Sequence, residues 1–145
     1  MSALDALPTP VSPSRASPGR MALSFRASRV AVDVFWADLL PRSGSEQSGR
    51  RPVVVVSHDG FNQVVAWRSV IVVPLSTSPQ QRRRGPTAIL LPKGTAGLRQ
   101  ESVALCHQVT TLDRAKLAER IGELPAAALE RLNEGLRAAL ALLWA

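Results

Sequence analysis

The chain contains several short apolar runs, and valine dominates the strongest of them. Residues 52–57 and 70–75 consist mostly of valine, a pattern typical of strands that are buried on both faces. Further runs at residues 32–37, 87–91 and 102–109 are separated by segments that contain glycine, proline and serine. Many short strands with little helix between them favour antiparallel pairing and a small closed barrel. We therefore predict a mainly β fold.

The C-terminal segment differs from the rest because its leucines recur at three- and four-residue steps. Such spacing forms one apolar stripe along an α-helix, and Pro125 suits the first turn of that helix. The stripe is expected to pack on the barrel or on a second subunit, and it consists of Leu129, Leu132, Leu136, Leu140 and Leu143. Asp113 suits a helix N-cap, so residues 114–120 are predicted to form one or two helical turns. Pro74 is expected at a strand end or a bulge, since proline cannot donate to a sheet ladder.

We predict one folded domain over residues 29–145, preceded by a disordered tail over residues 1–28. The tail holds four prolines among serine, alanine and arginine and has no apolar stretch long enough for a signal peptide. The longest uninterrupted apolar run, residues 138–145, has eight residues, far fewer than the ~20 that span a bilayer. The single cysteine, Cys106, cannot form an internal disulfide. A reducing compartment, the cytoplasm, is therefore expected.

The net charge of +7 is concentrated in the predicted barrel. Residues 29–114 carry eleven basic and six acidic side chains, whereas residues 115–145 carry four of each. A basic charge excess on one folded unit points to a polyanionic ligand, and the alternative is a basic protein with no such ligand.

Polar side chains gather at the ends of the predicted strands. Ser45, Glu46, Gln47, Arg50 and Arg51 precede the second strand, Ser76 and Thr77 follow the third, and His107 and Gln108 belong to the fifth. If these ends converge, they form a basic patch rich in hydrogen-bonding groups, which suits a phosphodiester. No zinc-ligand spacing, phosphate-binding glycine loop or nucleophile elbow occurs, so we expect no metal and no cofactor.

Several of these segments, taken in order, resemble the motifs of the MazF/PemK-type toxins over residues 31–144. The motifs are Gly44-Ser45-Glu46-Gln47, Arg51-Pro52-Val53, Val72-Val73-Pro74-Leu75, the run from Ser102 to Gln108, and Thr111-Leu112-Asp113. The resemblance implies an SH3-like barrel with a C-terminal helix and short extra helices, assembled as a homodimer. It also implies a toxin that cleaves single-stranded RNA at short sequence motifs and is neutralised by a cognate MazE-like antitoxin.

The implied reaction is attack of a 2′-hydroxyl on the adjacent phosphorus, which leaves a 2′,3′-cyclic phosphate and a 5′-hydroxyl. Arg51 matches the family's catalytic arginine, and a guanidinium suits stabilisation of a phosphate better than proton transfer. Ser76 stands where the family usually has threonine, and Thr77 is a possible substitute. His107 stands where some members carry an acidic base. The alternatives are a surface arginine, a hydroxyl bonded within its own loop and a histidine bonded to backbone.

Further candidates for RNA contact come from the loops. Ser45, Glu46 and Gln47 are expected to order the loop before Arg50 and to touch RNA or the second subunit, and the alternative for Glu46 and Gln47 is a role in loop structure alone. Arg82, Arg83 and Arg84 correspond to a loop that contacts RNA in related proteins, and otherwise form a solvated turn. Asn62 lies between Phe61 and Trp67, whose rings either stack on bases or pack in the core. Gln108 is also predicted to contact RNA.

Two other functions remain open at this stage. Toxins of the CcdB type share the barrel but bind DNA gyrase without hydrolysis, and they lack the arginine and hydroxyl pair. A catalytically weakened RNA-binding homologue is the second alternative, because Ser76, Leu105 and His107 depart from the family pattern.

Overall fold

The computed structural model describes residues 32–39 and 49–142. They form seven β-strands and two α-helices, joined by short 3₁₀ turns. The strands are β1 (Val32–Asp38), β2 (Arg50–Val55), β3 (Ser69–Ser76), β4 (Ala88–Leu91), β5 (Ser102–Leu105), β6 (Thr110–Asp113) and β7 (Leu117–Leu124). The helices are α1 (Asp59–Asn62) and α2 (Ala126–Leu140). The predicted tail over residues 1–28, the loop residues Ser45, Glu46 and Gln47, and Leu143 lie outside the described residues.

All strand pairs are antiparallel, and β3 lies at the centre. The strand order is β4-β5-β3-β2-β1-β7, and β6 also pairs with β3. This arrangement and the C-terminal helix confirm the predicted fold class. Within the described residues the strand path is open, with β4 and β7 at its two ends.

The valine runs of β2 and β3 supply the core on both faces of the sheet. On one face, Val54 and Val73 pack with Leu129 and Leu132 of helix α2. On the other face, Val53 and Val72 belong to a second cluster. Its remaining members are Ala37, Leu39, Val55, Val70 and Leu112. Double-sided burial explains why these runs do not alternate between apolar and polar residues.

Helix α2 confirms the predicted leucine stripe over its first three turns. Leu129 and Leu132 are buried and Leu136 packs against the core, whereas 53% of Leu140 is exposed. Arg131 helps to hold the helix, because its guanidinium donates to the carbonyl oxygen of Leu90 at 2.7 Å. The helix therefore packs on the sheet through its N-terminal part.

Pro74 lies inside β3, not at its end, and pairs with Val53 of β2. On its other side β3 pairs with β6 as far as Val72 and with β5 from Leu75 onward. Pro74 therefore sits where this second ladder is interrupted, a position that tolerates a residue with no N–H.

The predicted strand over residues 102–109 is shorter in the structure. It ends at Leu105, and a 3₁₀ turn follows at Cys106–Gln108. Leu75 faces Ala104, so an unbroken register would place Val72 opposite residue 107, but Val72 faces Thr110. The turn takes up these three extra residues, much as a large bulge does.

The predicted helical turns over residues 114–120 are mostly wrong. Asp113 does act as a cap, because its side chain accepts from the backbone N–H of Ala115 at 2.8 Å. The helical piece is only the 3₁₀ turn Arg114–Lys116, after which the chain extends into β7 and pairs with β1. Pairing with a neighbouring strand outweighs the local helix preference of this segment.

Within the part of the chain that the structure describes, no helix is long and apolar enough to cross a membrane.

Cys106 is fully buried beneath helix α2, and its Sγ lies 3.8 Å from the carbonyl oxygen of Leu132. Burial raises the pKa of its thiol to about 12, so the reactive thiolate is absent at neutral pH. We expect iodoacetamide to leave Cys106 unmodified in the native protein and to label it fast in denaturant, as measured by intact mass. Native labelling at the rate of an exposed cysteine would contradict this placement.

Candidate active site

One open cavity of about 790 Å³ lies beside the first residues of β2. Strands β1, β2, β5 and β7 contribute to it, together with the residue after β3 and the segment between β4 and β5. Its lining consists of Trp36, Arg50, Arg51, Pro52, Thr77, Gly97, Leu98, Arg99, Gln100, Ser102, Glu119, Arg120 and Ile121. We call this space the arginine cavity, because four of these residues are arginines.

The structure brings Arg51 and Thr77 together in the arginine cavity. The register of β2 and β3 brings Arg51 to the end of β3, since Val53 faces Pro74 and the same register, continued by two residues, places Arg51 opposite Ser76. Thr77 is the first residue after the strand, so its side chain need not follow the alternation of the strand residues. Arg51 is half-buried and Thr77 is exposed, so both groups are accessible to a ligand in the cavity.

Ser76 has a different role from its neighbour. It is only 3% exposed, and its Oγ accepts from the backbone N–H of Ser78 at 3.1 Å. It does not line the arginine cavity. Its hydroxyl therefore orders the chain after β3, and the hydroxyl that faces the cavity belongs to Thr77.

The arginine cavity has a strong excess of positive charge. Among its lining residues, Arg50, Arg51, Arg99 and Arg120 are cationic and Glu119 is the one carboxylate. Glu119 lies 3.0 Å from the guanidinium of Arg50, which also stacks 5.2 Å from the centre of the Trp36 ring. Exposed ion pairs of this kind contribute little to stability. An entering anion can therefore replace the carboxylate.

Arg120 of β7 forms an ion pair with a carboxylate of β1. Its Nε and Nη2 donate to Oδ1 of Asp33 at 3.0 and 2.9 Å. Arg99 makes no ion pair with any described residue and is exposed. Among the described residues, ion pairs therefore compensate Arg50 and Arg120 but not Arg99.

One wall of the arginine cavity was missed by sequence reasoning. It consists of Leu98, which is buried, followed by Arg99 and Gln100, and we call these three residues the β5 wall because they precede that strand. Ser102 holds its end, since the Ser102 hydroxyl donates to the carbonyl oxygen of Gln100 at 3.0 Å. The rule that selected Thr77, polar residues beside a strand end, applied equally to Arg99 and Gln100.

Three predicted site residues lie elsewhere in the chain. His107 and Gln108 belong to the turn beyond β5, at the end opposite Ser102, and Nδ1 of His107 is 3.4 Å from Oγ1 of Thr87. Asn62 follows the far end of β2, where its amide exchanges hydrogen bonds of 2.5 and 2.9 Å with Ser57. The structure therefore does not bring these groups to the arginine cavity.

The arginine run lies in the 3₁₀ segment Pro79–Thr87, between β3 and β4. Arg82 forms an ion pair with Glu101, which directly follows the β5 wall. Arg83 is exposed, and Arg84 belongs to the same segment. The run therefore begins close to the arginine cavity but does not line it.

The match to known proteins covers most of the chain. A family model of the PemK-like, MazF-like toxins of type II toxin–antitoxin systems matches residues 31–140. Endoribonuclease MazF6 of Mycobacterium tuberculosis is 34% identical over 111 residues, which cover 77% of this chain and 96% of that protein. Endoribonuclease EndoA of Bacillus subtilis is 33% identical over 111 residues, with 77% and 93% covered.

Solved structures show the same fold. MazF (Form-I) from Deinococcus radiodurans superimposes with a TM-score of 0.64 at 27% identity, covering 80% of this chain and 99% of that one. An endoribonuclease in complex with its cognate antitoxin, from a Mycobacterial species, gives 0.62 at 26% identity, with 78% and 95% covered.

The fold and the family match thus define a small β-rich toxin with a cationic cavity at the start of its second strand. The chain belongs to the PemK-like, MazF-like toxin family of type II toxin–antitoxin systems.

Proposed function

We propose that this toxin is an endoribonuclease that cleaves single-stranded RNA in the arginine cavity, at a short sequence motif and without a metal. The observation that carries the proposal is the shared position of Arg51 and Thr77 in one cationic cavity, in a chain whose named relatives are endoribonucleases. The unit that carries this activity is the domain over residues 29–145, and we place it in the cytoplasm.

The proposed reaction breaks one phosphodiester by transesterification. The 2′-hydroxyl loses its proton to water as its oxygen attacks the adjacent phosphorus, the bond from phosphorus to the 5′-oxygen breaks, and the 5′-oxygen takes a proton from water. The products are a 2′,3′-cyclic phosphate and a 5′-hydroxyl. Negative charge grows on the phosphate oxygens at the transition state, and a fixed guanidinium stabilises that charge. We assign this task to Arg51.

Thr77 is the hydroxyl that we assign to the scissile phosphate, because it faces the cavity and Ser76 does not. Its methyl group restricts the side-chain rotamer, which favours a fixed hydroxyl direction. His107 receives no role in the chemistry, since it lies beyond the opposite end of β5.

RNA contacts on either side of the scissile phosphate are assigned to the remaining cations. Arg50 lines the cavity, and Arg82, Arg83 and Arg84 lie in the segment that reaches its edge through Glu101. Each phosphate contact releases counterions, so binding weakens as salt rises. Ser45, Glu46 and Gln47 stand three to five residues before β2 in the sequence and keep their proposed role in RNA binding.

The partner that restrains the toxin is proposed to be a MazE-like antitoxin. Related structures are described as an endoribonuclease in complex with its cognate antitoxin and as a MazE-MazF complex. An antitoxin segment with carboxylates suits four arginines, and it would occupy the same cavity as RNA.

The toxin is proposed to act as a homodimer through an apolar loop surface. We define the loop patch as Phe61, Val64, Val65 and Trp67, which lie between β2 and β3 and are 39 to 88% exposed. The rings of Phe61 and Trp67 stack with centroids 5.0 Å apart. Contiguous exposed apolar side chains of this kind mark association surfaces.

The loop patch is held rigid by Arg114. Its guanidinium donates to the carbonyl oxygens of Asn62 at 2.8 Å and of Trp67 at 2.9 Å. It also reaches the carbonyls of Phe61 and Val64 at 3.4 Å. Because the loop is ordered before association, a second copy can bind it at a low entropic cost.

The first test is cleavage of an unstructured RNA transcript in excess EDTA. We expect RNA fragments whose 5′ ends are phosphorylated directly by polynucleotide kinase, which requires a 5′-hydroxyl. Arg51→Ala should lower the cleavage rate by about 100- to 1000-fold, as loss of one transition-state donor does.

Arg137→Ala is the matched control, because this arginine lies on helix α2 and pairs weakly with Glu134 at 3.6 Å. Its rate should equal that of the wild type. Intact RNA accompanied by inhibition of DNA gyrase would replace the nuclease proposal with the gyrase-binding alternative.

The second test separates the two neighbouring hydroxyls. Thr77→Val keeps the side-chain shape and should lower the cleavage rate by about tenfold, the value of one lost hydrogen bond. Ser76→Ala should lower the free energy of unfolding by about 1 kcal/mol, because the N–H of Ser78 loses its acceptor, and should keep the rate. The reverse pattern would assign the phosphate contact to Ser76.

The third test concerns the homodimer. Val65→Asp places a charge in the loop patch, and we expect it to halve the mass measured by light scattering while the chain stays folded. Leu140→Asp is the control, since Leu140 is 53% exposed and lies on helix α2. A monomer produced by the helix variant alone would move the interface away from the loop patch.

A further inference from the structure

Strand β7 and the turn Thr95–Gly97 approach each other backbone to backbone beside the arginine cavity. A Cβ added at Gly122 would lie 2.2 Å from the carbonyl oxygen of Ala96 and 2.8 Å from its carbonyl carbon. Neither atom belongs to a flexible side chain, so no side-chain movement can relieve the clash. Only glycine fits at position 122 while the turn keeps its place.

A second glycine, on the turn, makes a close approach to the backbone of β7. Gly97 has a φ of +81°, and a Cβ added there would lie 3.0 Å from the carbonyl oxygen of Ile121. Gly97 and Ile121 both line the arginine cavity. The two close approaches together fix the distance between the turn and β7.

Backbone hydrogen bonds connect the turn to the β5 wall. The N–H of Gly94 donates to the carbonyl oxygen of Leu98 at 2.8 Å, and the N–H of Leu98 donates to that of Thr95 at 2.9 Å. Leu98 is 5% exposed and packs against the core. Because both hydrogen bonds tie Leu98 to the turn, a shift of Ala96 moves Leu98 and, with it, Arg99 and Gln100.

We propose that Gly122 is a positioning residue for substrate: by admitting the Ala96 carbonyl, it sets where Arg99 and Gln100 meet RNA. This inference rests on the proposed function, since it names the part of the arginine cavity that grips the substrate away from the scissile phosphate. Arg99 supplies a cation that makes no ion pair with a described residue, and Gln100 supplies an amide for base edges or sugar hydroxyls.

The expected effect falls on binding and spares the chemical step. Arg51 and Thr77 are carried by β2 and the end of β3, and the pairing of these strands does not pass through the turn. A displaced β5 wall thus weakens the grip on RNA while the reacting groups keep their places. KM should rise and kcat should change little.

The test compares Gly122→Ala with Gly135→Ala. Gly135 is also a crowded glycine, because a Cβ there would lie 2.7 Å from Sγ of Cys106 and 2.8 Å from Cγ1 of Ile89. It lies in helix α2 and does not line the arginine cavity. Both variants should lower the thermal unfolding temperature, so a purely structural effect appears in both.

Two measurements are made on each full-length variant. One is KM and kcat for cleavage of the RNA transcript, and the other is Kd for a fluorescein-labelled single-stranded RNA with 2′-methoxy groups, which cannot be cleaved by its own 2′-oxygen. Gly122→Ala should raise KM and Kd by about tenfold, as misplacement of a charged contact does. Gly135→Ala should leave both constants at the wild-type values.

Arg99→Ala provides a direct check that does not depend on a crowded backbone. This exposed variant should also raise KM and Kd by about tenfold and reduce the salt slope of binding by about one. Wild-type KM and Kd in both Gly122→Ala and Arg99→Ala would overturn the positioning role. A different outcome separates the two proposals. If the wild type binds the methoxy RNA but cuts no transcript, and both variants lose that binding, the nuclease proposal is refuted and the role of Gly122 is retained.

Discussion

Val53 faces Pro74 across the pair of β2 and β3, and this register determines which side chains enter the arginine cavity. Strand side chains alternate between faces, so a slip of one residue would move each of them to the other face. The double-sided valine packing of both strands resists such a slip, because it would rearrange two core clusters at once. The position of Arg51 beside the end of β3, and therefore near Thr77, is thus a consequence of core packing.

The central strand β3 also explains which predictions succeeded. Buried strands and helix α2 were predicted correctly because their apolar patterns reflect burial directly. The turn after Leu105 was not foreseen, since it arises from the change of β3's partner between β5 and β6. The same change carries His107 away from the cavity. Strand β7 was missed because its alternating burial is weak and its charged residues favour helix locally.

The sequence predicted only those cavity residues that lie beside the end of a predicted strand. Arg51 and Thr77 flank valine-rich strands, so their position followed from the strand assignment. Trp36, Glu119 and the β5 wall reach the same cavity through the pairing of β1 with β2 and β7 and through the turn against Gly122. These contacts join residues at least 12 positions apart in the chain, and no local pattern contains them.

The charge arrangement of the cavity explains how one site can accept two different polyanions. Arg50 and Arg120 are paired with Glu119 and Asp33 at 3.0 and 2.9 Å, and all four side chains are about half exposed or more. Exposed pairs contribute roughly 0 to 1 kcal/mol, so exchanging a carboxylate of the chain for an RNA phosphate or an antitoxin carboxylate costs little. Both ligands gain from the same guanidinium groups. Under the proposed function, occupation of the cavity by one ligand therefore excludes the other.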